Sequence, residues 1–311
     1  MSSKIKRFFF WLKEDSNVVW VYLWTKLGVF IPDQLYLRVL FRLRMGYWMS
    51  FRHPKRFAEK LQWLKLHDRQ ERFHSMVDKY DAKTVIKDLI GKEYAIPTLG
   101  VWNNINEIDY EGLPNSFILK ATFDSGSYYI CKNKKDLDKT EANKRLTKNW
   151  SQSFYSRRRE WPYKGLQKRI IAEPLLAEPN ELLEYKFFCF EGEPKWFQSC
   201  QDRNRELGGA ILHFYNIDGS PLDIRDKMHG REIRKEEISA ILPKNLDKML
   251  EIARISSKGT HFLRVDFYEV GEQIYIGEFT FYEAAGFCEF EPDEWNIKMG
   301  NWIKLTTDKN A

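Results

Sequence analysis

Two short stretches near the C-terminus carry the residues best suited to chemistry, Arg264-x-Asp266 and Glu278-x-Thr280. Residues 262–268 alternate so that Phe262, Arg264, Asp266 and Tyr268 share one strand face, and Ile276, Glu278, Thr280 and Tyr282 share a face in the next strand. A Gly271-Glu272-Gln273 loop would pair Val270 with Ile274, which sets Asp266 directly opposite Glu278 and Arg264 opposite Thr280. Like charges opposed at about 5 Å destabilise a sheet, so the pair invites a shared proton or a bridging divalent ion. Sparse oxygen ligands with room for water suit Mg²⁺. The alternative is a solvated face on which Arg264 simply neutralises Asp266.

A second constellation lies upstream. Lys120 ends a strand and is followed by Asp124-Ser125-Gly126-Ser127 and a return strand at Tyr128-Tyr129-Ile130. A small-residue turn of this kind lets backbone N–H groups close on phosphate oxygens while the lysine adds a point charge. A single glycine in a hairpin turn is also commonplace, so the loop gains weight only in company.

The elements that must position these residues read as a mixture of helices and antiparallel strands, an α+β chain and not a doubly wound sheet. Residues 1–75 read as a basic, aromatic and mostly helical region, with Phe57, Leu61 and Leu64 and the neighbouring Trp63 and Leu66 supplying an apolar stripe. Residues 76–311 form the remainder, with a lobe boundary near 170–176. Within it, strands are expected at 94–97, 116–122 and 169–173, and a helix at 136–148. A hairpin is expected at 184–190 and 195–200 around Glu191-Gly192-Glu193-Pro194, followed by a strand at 210–215. Asn245 is placed to cap a helix lined by Leu246, Met249, Leu250 and Ala253 and stopped by Gly259.

At 311 residues, 43% hydrophobic and 15% aromatic, the chain has material for two lobes or two closely joined domains. Cys131, Cys189, Cys200 and Cys288 are scattered without a C-x-x-C pair, which argues against zinc, iron–sulfur or a disulfide scaffold and fits a reducing cytoplasm. The aromatic run at residues 8–11 is broken at once by Lys13, Glu14 and Asp15, so neither a signal peptide nor a membrane span is expected. The net charge of +6 is front-loaded, with Lys4, Lys6, Arg7, Arg38, Arg42, Arg44, Arg52, Lys55 and Arg56 among Trp and Phe residues. That interleaving suits a helix on an anionic membrane face as well as a packed helical lobe with solvated basic sides. No nucleic-acid motif is present.

Taken in order, Lys120 and its loop, Glu173 at a strand end, Lys186 on a hairpin, Arg264-x-Asp266 and Glu278-x-Thr280 resemble the ATP-grasp superfamily. The match is with its TupA-like branch, associated with bacterial surface-polysaccharide and teichuronopeptide synthesis. Carrying stretches are residues 53–65 (HPKRFAEKLQWLK), Asp78-Lys79-Tyr80, residues 96–102 (IPTLGVW), Tyr185-Lys186-Phe187-Phe188, residues 277–282 (GEFTFY) and Met299-Gly300-Asn301-Trp302.

The resemblance implies an ATP-grasp fold, with the nucleotide cleft between two α+β lobes and a helical N-terminal extension. It implies that Lys79, Lys120, Ser125 and Gly126 meet ATP phosphates, that Glu173, Leu175 and Leu176 form the adenine-side hinge, and that Lys186 lies near the nucleotide. Asp266 and Glu278 would hold Mg²⁺, with Thr280 where many members carry an asparagine ligand, and Arg264 would steady the transferring phosphoryl group. The implied chemistry is ATP-dependent joining of a glycan or uronic-acid carboxylate to an amine. Alternatives are a sugar kinase on the same fold or a degenerate binding component of an assembly system. A glycosyltransferase is a weaker rival, since the acidic hairpin lacks D-x-D spacing.

Two stretches depart from the family pattern. Where it reads His-Gly-Ser-Gly this chain has Phe123-Asp124-Ser125-Gly126, and where it reads Pro-Gly-Ser-Gly this chain has Glu283-Ala284-Ala285-Gly286. Asp124 could repel ATP, meet it through Mg²⁺, or point away. Loss of glycine at a close backbone approach could alter which ligand fits.

Overall fold

The computed structural model describes residues 17–178, 182–204, 209–227 and 242–305. Helices α1 (Asn17–Leu27), α2 (Asp33–Met45), α3 (Phe57–His67), α4 (Arg72–Val77) and α5 (Asp81–Leu89) come first. Strands β1 (Gly100–Trp102), β2 (Phe117–Ala121) and β3 (Tyr128–Cys131), helices α6 (Lys139–Leu146) and α7 (Phe154–Arg158), and strand β4 (Ile170–Pro174) follow. The chain continues through β5 (Leu183–Phe190), β6 (Glu193–Asn204), β7 (Gly209–Asn216), β8 (Arg225–Asp226), α8 (Leu246–Ser257), β9 (Phe262–Val270), β10 (Gln273–Thr280), β11 (Phe290–Glu291) and α9 (Glu294–Trp302).

These build an antiparallel sheet in the order β1-β4-β2-β3 and a second in the order β10-β9-β5-β6-β7. The smaller sheet buries Phe117, Leu119 and Ala172 against Ala142 and Leu146 of α6. The larger sheet shares one core with the first helices: the Phe57 ring meets Phe262 at 5.0 Å and Phe190 at 5.5 Å between centroids. In α3, Leu61, Trp63 and Leu64 are buried, and Glu59 Oε2 accepts from the Lys55 and Arg56 amides to secure the helix start. The residue range 299–302 earns its glycine by proximity: a Cβ on Gly300 would stand 2.0 Å from the Lys55 carbonyl, so α9 reaches the start of α3 only without one.

Three local expectations differ. Residues 94–97 form no strand; a 3-10 turn over Lys92–Tyr94 leads to a lone bridge from Ala95 to Ile276, and the short strand falls at Gly100–Trp102. The first large-sheet hairpin turns on Glu191-Gly192 alone, both at positive φ (50° and 82°), because Glu193 already pairs with Phe190. Asn245 makes no side-chain cap on α8; its amide bonds Glu269 Oε1 at 3.1 Å and the Glu272 carbonyl at 3.3 Å.

The acidic hairpin reaches its expected opposition by a different path. Val270 pairs with Gln273, so the loop is Gly271-Glu272 and not three residues long. A bulge between Ile276 and Glu278 then restores the offset, placing Glu278 opposite Asp266 and Thr280 opposite Arg264. The bulge reverses the alternation, so Ile276 turns inward and does not share a face with Glu278. Gly277 occupies the extra position, where a Cβ would meet the Tyr268 ring at 2.7 Å.

Candidate active site

The smaller sheet and α5 assemble a lysine cluster. On β2, Phe117, Leu119 and Ala121 point into the core, which leaves Ile118 and Lys120 on the opposite face. Lys120 Nζ reaches Glu173 Oε2 on neighbouring β4 at 2.5 Å, and Lys83 Nζ from α5 reaches Glu173 Oε1 at 2.5 Å. Burial would raise the Glu173 carboxyl, but the two ammoniums outweigh it and hold its pKa below the usual range. Burial pushes the Lys83 ammonium down despite that partner.

Asp78-Lys79-Tyr80 is a structural joint. Asp78 Oδ1 accepts from the Tyr80 and Asp81 amides at 2.9 and 3.1 Å, which starts α5, and takes Arg169 Nη2 at 3.0 Å, which ties α5 to the chain entering β4. Lys79 is thereby aimed at the loop after β2, where Nζ donates to the Ala121 carbonyl at 3.0 Å and to the Asp124 carbonyl. Desolvation lowers its pKa. The position sequence reasoning missed is Lys83. No motif marks it, and since Lys79 precedes α5 (Asp81–Leu89) helical spacing does not link the two lysines.

The larger sheet supplies the opposite wall. Lys186 on β5, Asp266 on β9 and Glu278 on β10 stand in one cross-strand row. Arg264 grips Asp266 with two bonds, Nε to Oδ1 at 2.6 Å and Nη2 to Oδ2 at 2.7 Å, and also bonds Glu278 Oε1 at 2.8 Å and Glu283 Oε2 at 2.5 Å. Lys186 Nζ lies 3.6 Å from Asp266 and 3.7 Å from Glu184. Burial works against the Arg264 charge, but Asp266, Glu283 and Glu278 outweigh it and keep the guanidinium protonated.

The two opposed acids differ in kind. Desolvation raises Asp266, only partly offset by Arg264 and Lys186. Desolvation also acts on Glu278, but Arg264, Lys186 and Lys79 prevail and bring it down to about 2. The Asp266 side chain is 1% exposed and that of Glu278 47%. The solvated alternative for this face thus fails at Asp266, which is buried, although Arg264 does neutralise it.

One cleft joins the two walls, lined by Lys79, Lys83, Lys120 and Glu173 on one side and by Gly277 and Glu278 on the other, over an apolar floor that includes Val77 and Ile96. Asp266, Arg264, Lys186 and Thr280 connect to it through the ion pairs around Glu278; Thr280 Oγ1 donates to Glu278 Oε1 at 3.2 Å. Ser125 and Gly126 form the exposed tip of the β2–β3 loop, with Gly126 at φ 95°, and Leu175 and Leu176 follow β4 half-buried; none of the four lines this cleft. Asp124 points away from it, since Oδ2 accepts from Ser127 Oγ and Asn149 Nδ2, both at 2.6 Å, and the side chain is buried.

The donor chemistry fits a hard divalent cation. Among the described residues no group of three or more His, Cys, Asp or Glu gathers as a metal site. Two carboxylates suffice for Mg²⁺, which keeps water and substrate phosphates as its other ligands. Asp266 has both oxygens on Arg264, yet each carboxylate oxygen retains a lone pair, and Glu278 faces the cleft.

The second departure from the family pattern is strained. Ala284 and Ala285 hold φ of 46° and 56°, and Gly286 follows at 72°. Helix α3 braces this turn: Lys65 Nζ donates to the Ala285 carbonyl and Gln62 Nε2 to the Gly286 carbonyl, both at 2.7 Å. Burial drives the Lys65 ammonium down to about 7, against the pull of Glu160. Left-handed backbone at alanine is costly, so Ala284→Gly is expected to stabilise the protein by about 0.5–1 kcal/mol in chemical denaturation, net of glycine's added chain entropy.

A charged cleft between two antiparallel sheets with helices on their outer sides is an ATP-grasp architecture. The family model of TupA-like ATP-grasp proteins matches residues 59–304, and this chain belongs to that family. Members of the wider superfamily use ATP, usually with Mg²⁺. Among solved structures, D-alanine–D-alanine ligase from Helicobacter pylori is 15% identical with a TM-score of 0.39, the match covering 80% of this chain and 69% of that one. N5-carboxyaminoimidazole synthetase from Staphylococcus aureus is 16% identical with a TM-score of 0.38, covering 66% of this chain and 44% of that one. D-alanine–D-alanine ligase from Bacillus anthracis with ATP is 15% identical with a TM-score of 0.41, covering 75% and 66%. This chain thus spans less than half the length of the synthetase. Among curated proteins no sequence match is found.

Proposed function

We propose that the protein is an ATP- and Mg²⁺-dependent carboxylate–amine ligase acting in bacterial surface-polysaccharide synthesis. The observation that carries this is the pairing of Lys83 and Lys120 on one cleft wall with Asp266, Glu278 and Arg264 behind the other. The glycan context follows from the family alone. The nucleotide-binding unit is taken as residues 76–311, with its lobes meeting near 170–176.

In this reading Lys79, Lys83 and Lys120 receive the phosphates, offsetting the repulsion between triphosphate and an incoming carboxylate. Asp266 and Glu278 would hold Mg²⁺, which supplies Lewis-acid neutralisation of phosphate charge. Arg264 fixes both carboxylates, and Lys186 adds positive charge beside them. A substrate carboxylate oxygen attacks the γ-phosphorus, ADP departs, and an acyl-phosphate forms; an amine then attacks the acyl carbon, phosphate leaves, and the amine proton passes to solvent or a basic group. Ser125 and Gly126 would close over the phosphates, and Glu173, Leu175 and Leu176 would border the base. The reaction would proceed in the cytoplasm, with the basic N-terminal region peripheral to the membrane and near a lipid-linked glycan.

The test is incubation with ATP, Mg²⁺, uronic acids and a panel of amino acids and amino sugars, followed by mass spectrometry. An amide with one ADP per product is expected; a phosphosugar without amide would replace the ligase by a kinase. A binding component without turnover is the second reading, favoured by Glu283, whose carboxylate takes Arg264 Nη1 from any substrate. Tight ATP binding with no product from any acceptor would decide for it.

A further inference from the structure

We propose that the outer faces of α1 and α2, with Trp48, form a docking surface for an anionic lipid bilayer. This rests on the peripheral association proposed above and assigns it to particular side chains outside residues 1–16. On α1, Trp20 and Leu23 are one turn apart and 60% and 44% exposed, and Phe30, in the turn to α2, is 92% exposed. On α2 and just beyond it, Leu35 and Trp48 are 52% and 57% exposed. Large apolar side chains gathered on so short a stretch mark an interaction surface when they cannot be charged to ordinary surface scatter.

The charge says what the partner is. Residues 17–56 hold seven Lys and Arg side chains and one acid, Asp33; of the seven, Arg56 is paired with Asp293 and Arg44 packs on the Phe287 ring, which leaves Lys26, Arg38, Arg42, Arg52 and Lys55 to the surface. That acid is spent internally, on Arg69 Nη2 at 2.7 Å, Arg159 Nε at 2.8 Å and Tyr155 Oη at 2.5 Å. Leu35, Arg38 and Arg42 fall on one exposed strip of α2, and the Arg38 guanidinium lies 5.6 Å from the Trp48 ring. An apolar body with a cationic rim is the chemistry of a helix lying at the headgroup level of an anionic membrane, with tryptophan at the interface and arginine on the phosphates. Among the described residues no helix is long and apolar enough to cross a membrane.

The surface is fastened to the rest of the protein. The Trp24 indole stacks on Tyr36 at 6.2 Å and donates to its carbonyl at 3.1 Å, so α1 packs on α2. The Tyr36 hydroxyl donates to the Arg157 carbonyl at 2.8 Å, and Arg159 Nη2 donates to the Gly28 carbonyl. The helical pair is therefore bound to the α7 segment.

Co-flotation of the full chain with vesicles tests this, comparing phosphatidylcholine containing phosphatidylglycerol with phosphatidylcholine alone. Retention on the anionic vesicles only, weakened by added salt, is expected. Two exposed-residue variants, Arg38→Gln/Arg42→Gln and Trp20→Gln/Phe30→Gln, are each expected to weaken partitioning roughly 10-fold or more. Calorimetric ATP titration of the same samples shows whether they are folded, with unchanged affinity expected. Equal flotation with both vesicle types, or variants that float like the wild type, overturns the docking surface while leaving the ATP site standing. A solution dimer broken by these substitutions would assign the surface to a second copy of the chain and likewise overturn it. Absent ATP binding in the wild type would instead sink the ligase reading alone.

Discussion

Arg264→Leu is expected to cost about 3–5 kcal/mol of folding free energy and to remove Mg²⁺-dependent ATP binding. The guanidinium side chain is 8% exposed and makes four charge-assisted bonds, two of them to Asp266. Its loss takes the guanidinium from buried Asp266 and Glu283 and leaves Asp266 with Lys186 at 3.6 Å as its remaining cation, and Asp266 is already pushed upward by desolvation. Each carboxylate must then take a proton or admit water. Arg264→Lys retains the charge but not the planar fork, so it is expected to fall between wild type and Arg264→Leu. Adding Asp266→Asn to Arg264→Leu removes the most deeply buried of the stranded charges, and the double variant is expected to be more stable than Arg264→Leu alone. Urea unfolding followed by circular dichroism measures all of these; a midpoint for Arg264→Leu equal to the wild type would show that the cluster contributes nothing.

Lys120→Met is expected to weaken ATP binding roughly 10- to 100-fold, the value of one charge-assisted contact. Lys120 and Lys83 share the two oxygens of Glu173, so in the resting cleft one carboxylate orients two ammoniums. Triphosphate, with far more negative charge, would draw both away from it. If the two act as a unit, Lys83→Met loses a comparable factor, and the double variant loses less than the product of the two. Titration calorimetry at fixed ionic strength reads the affinities, and thermal melting of the same samples separates a lost contact from a lost fold. A Lys83→Met affinity equal to the wild type would remove Lys83 from the site, whereas an unaffected Lys120→Met would remove the lysine cluster altogether.

Much of this site was legible in the chain. The alternation at residues 262–268 gave the strand and the face, and the ordered run from Lys120 to Thr280 gave the family. The opposition of Asp266 and Glu278 came out as expected through two offsetting differences, a loop one residue shorter and a bulge at Gly277. Gly277 carries a trace of that bulge, but a lone glycine in a strand does not say which neighbour it spares, and here it is the Tyr268 ring. Asn245 likewise had a capping residue's identity, yet the acceptor at Glu269 on another strand won its amide.

The amino-acid order alone determined most of the element types and the strands that carry the two carboxylates, because side-chain period is set by neighbours a few residues apart, whereas the strand expected at 94–97, the hairpin loop length and the bulge at Gly277 were settled by pairing with other strands. Packing decided the partners. Lys83 joins the site because its side chain reaches from α5 to Glu173 on β4, Asp124 turns aside because Asn149 is there to hold it, and Arg264 is occupied by Glu283 as well as by Asp266. The charge a group carries and the partner it accepts depend on how far it is removed from water, and only the assembled fold fixes that.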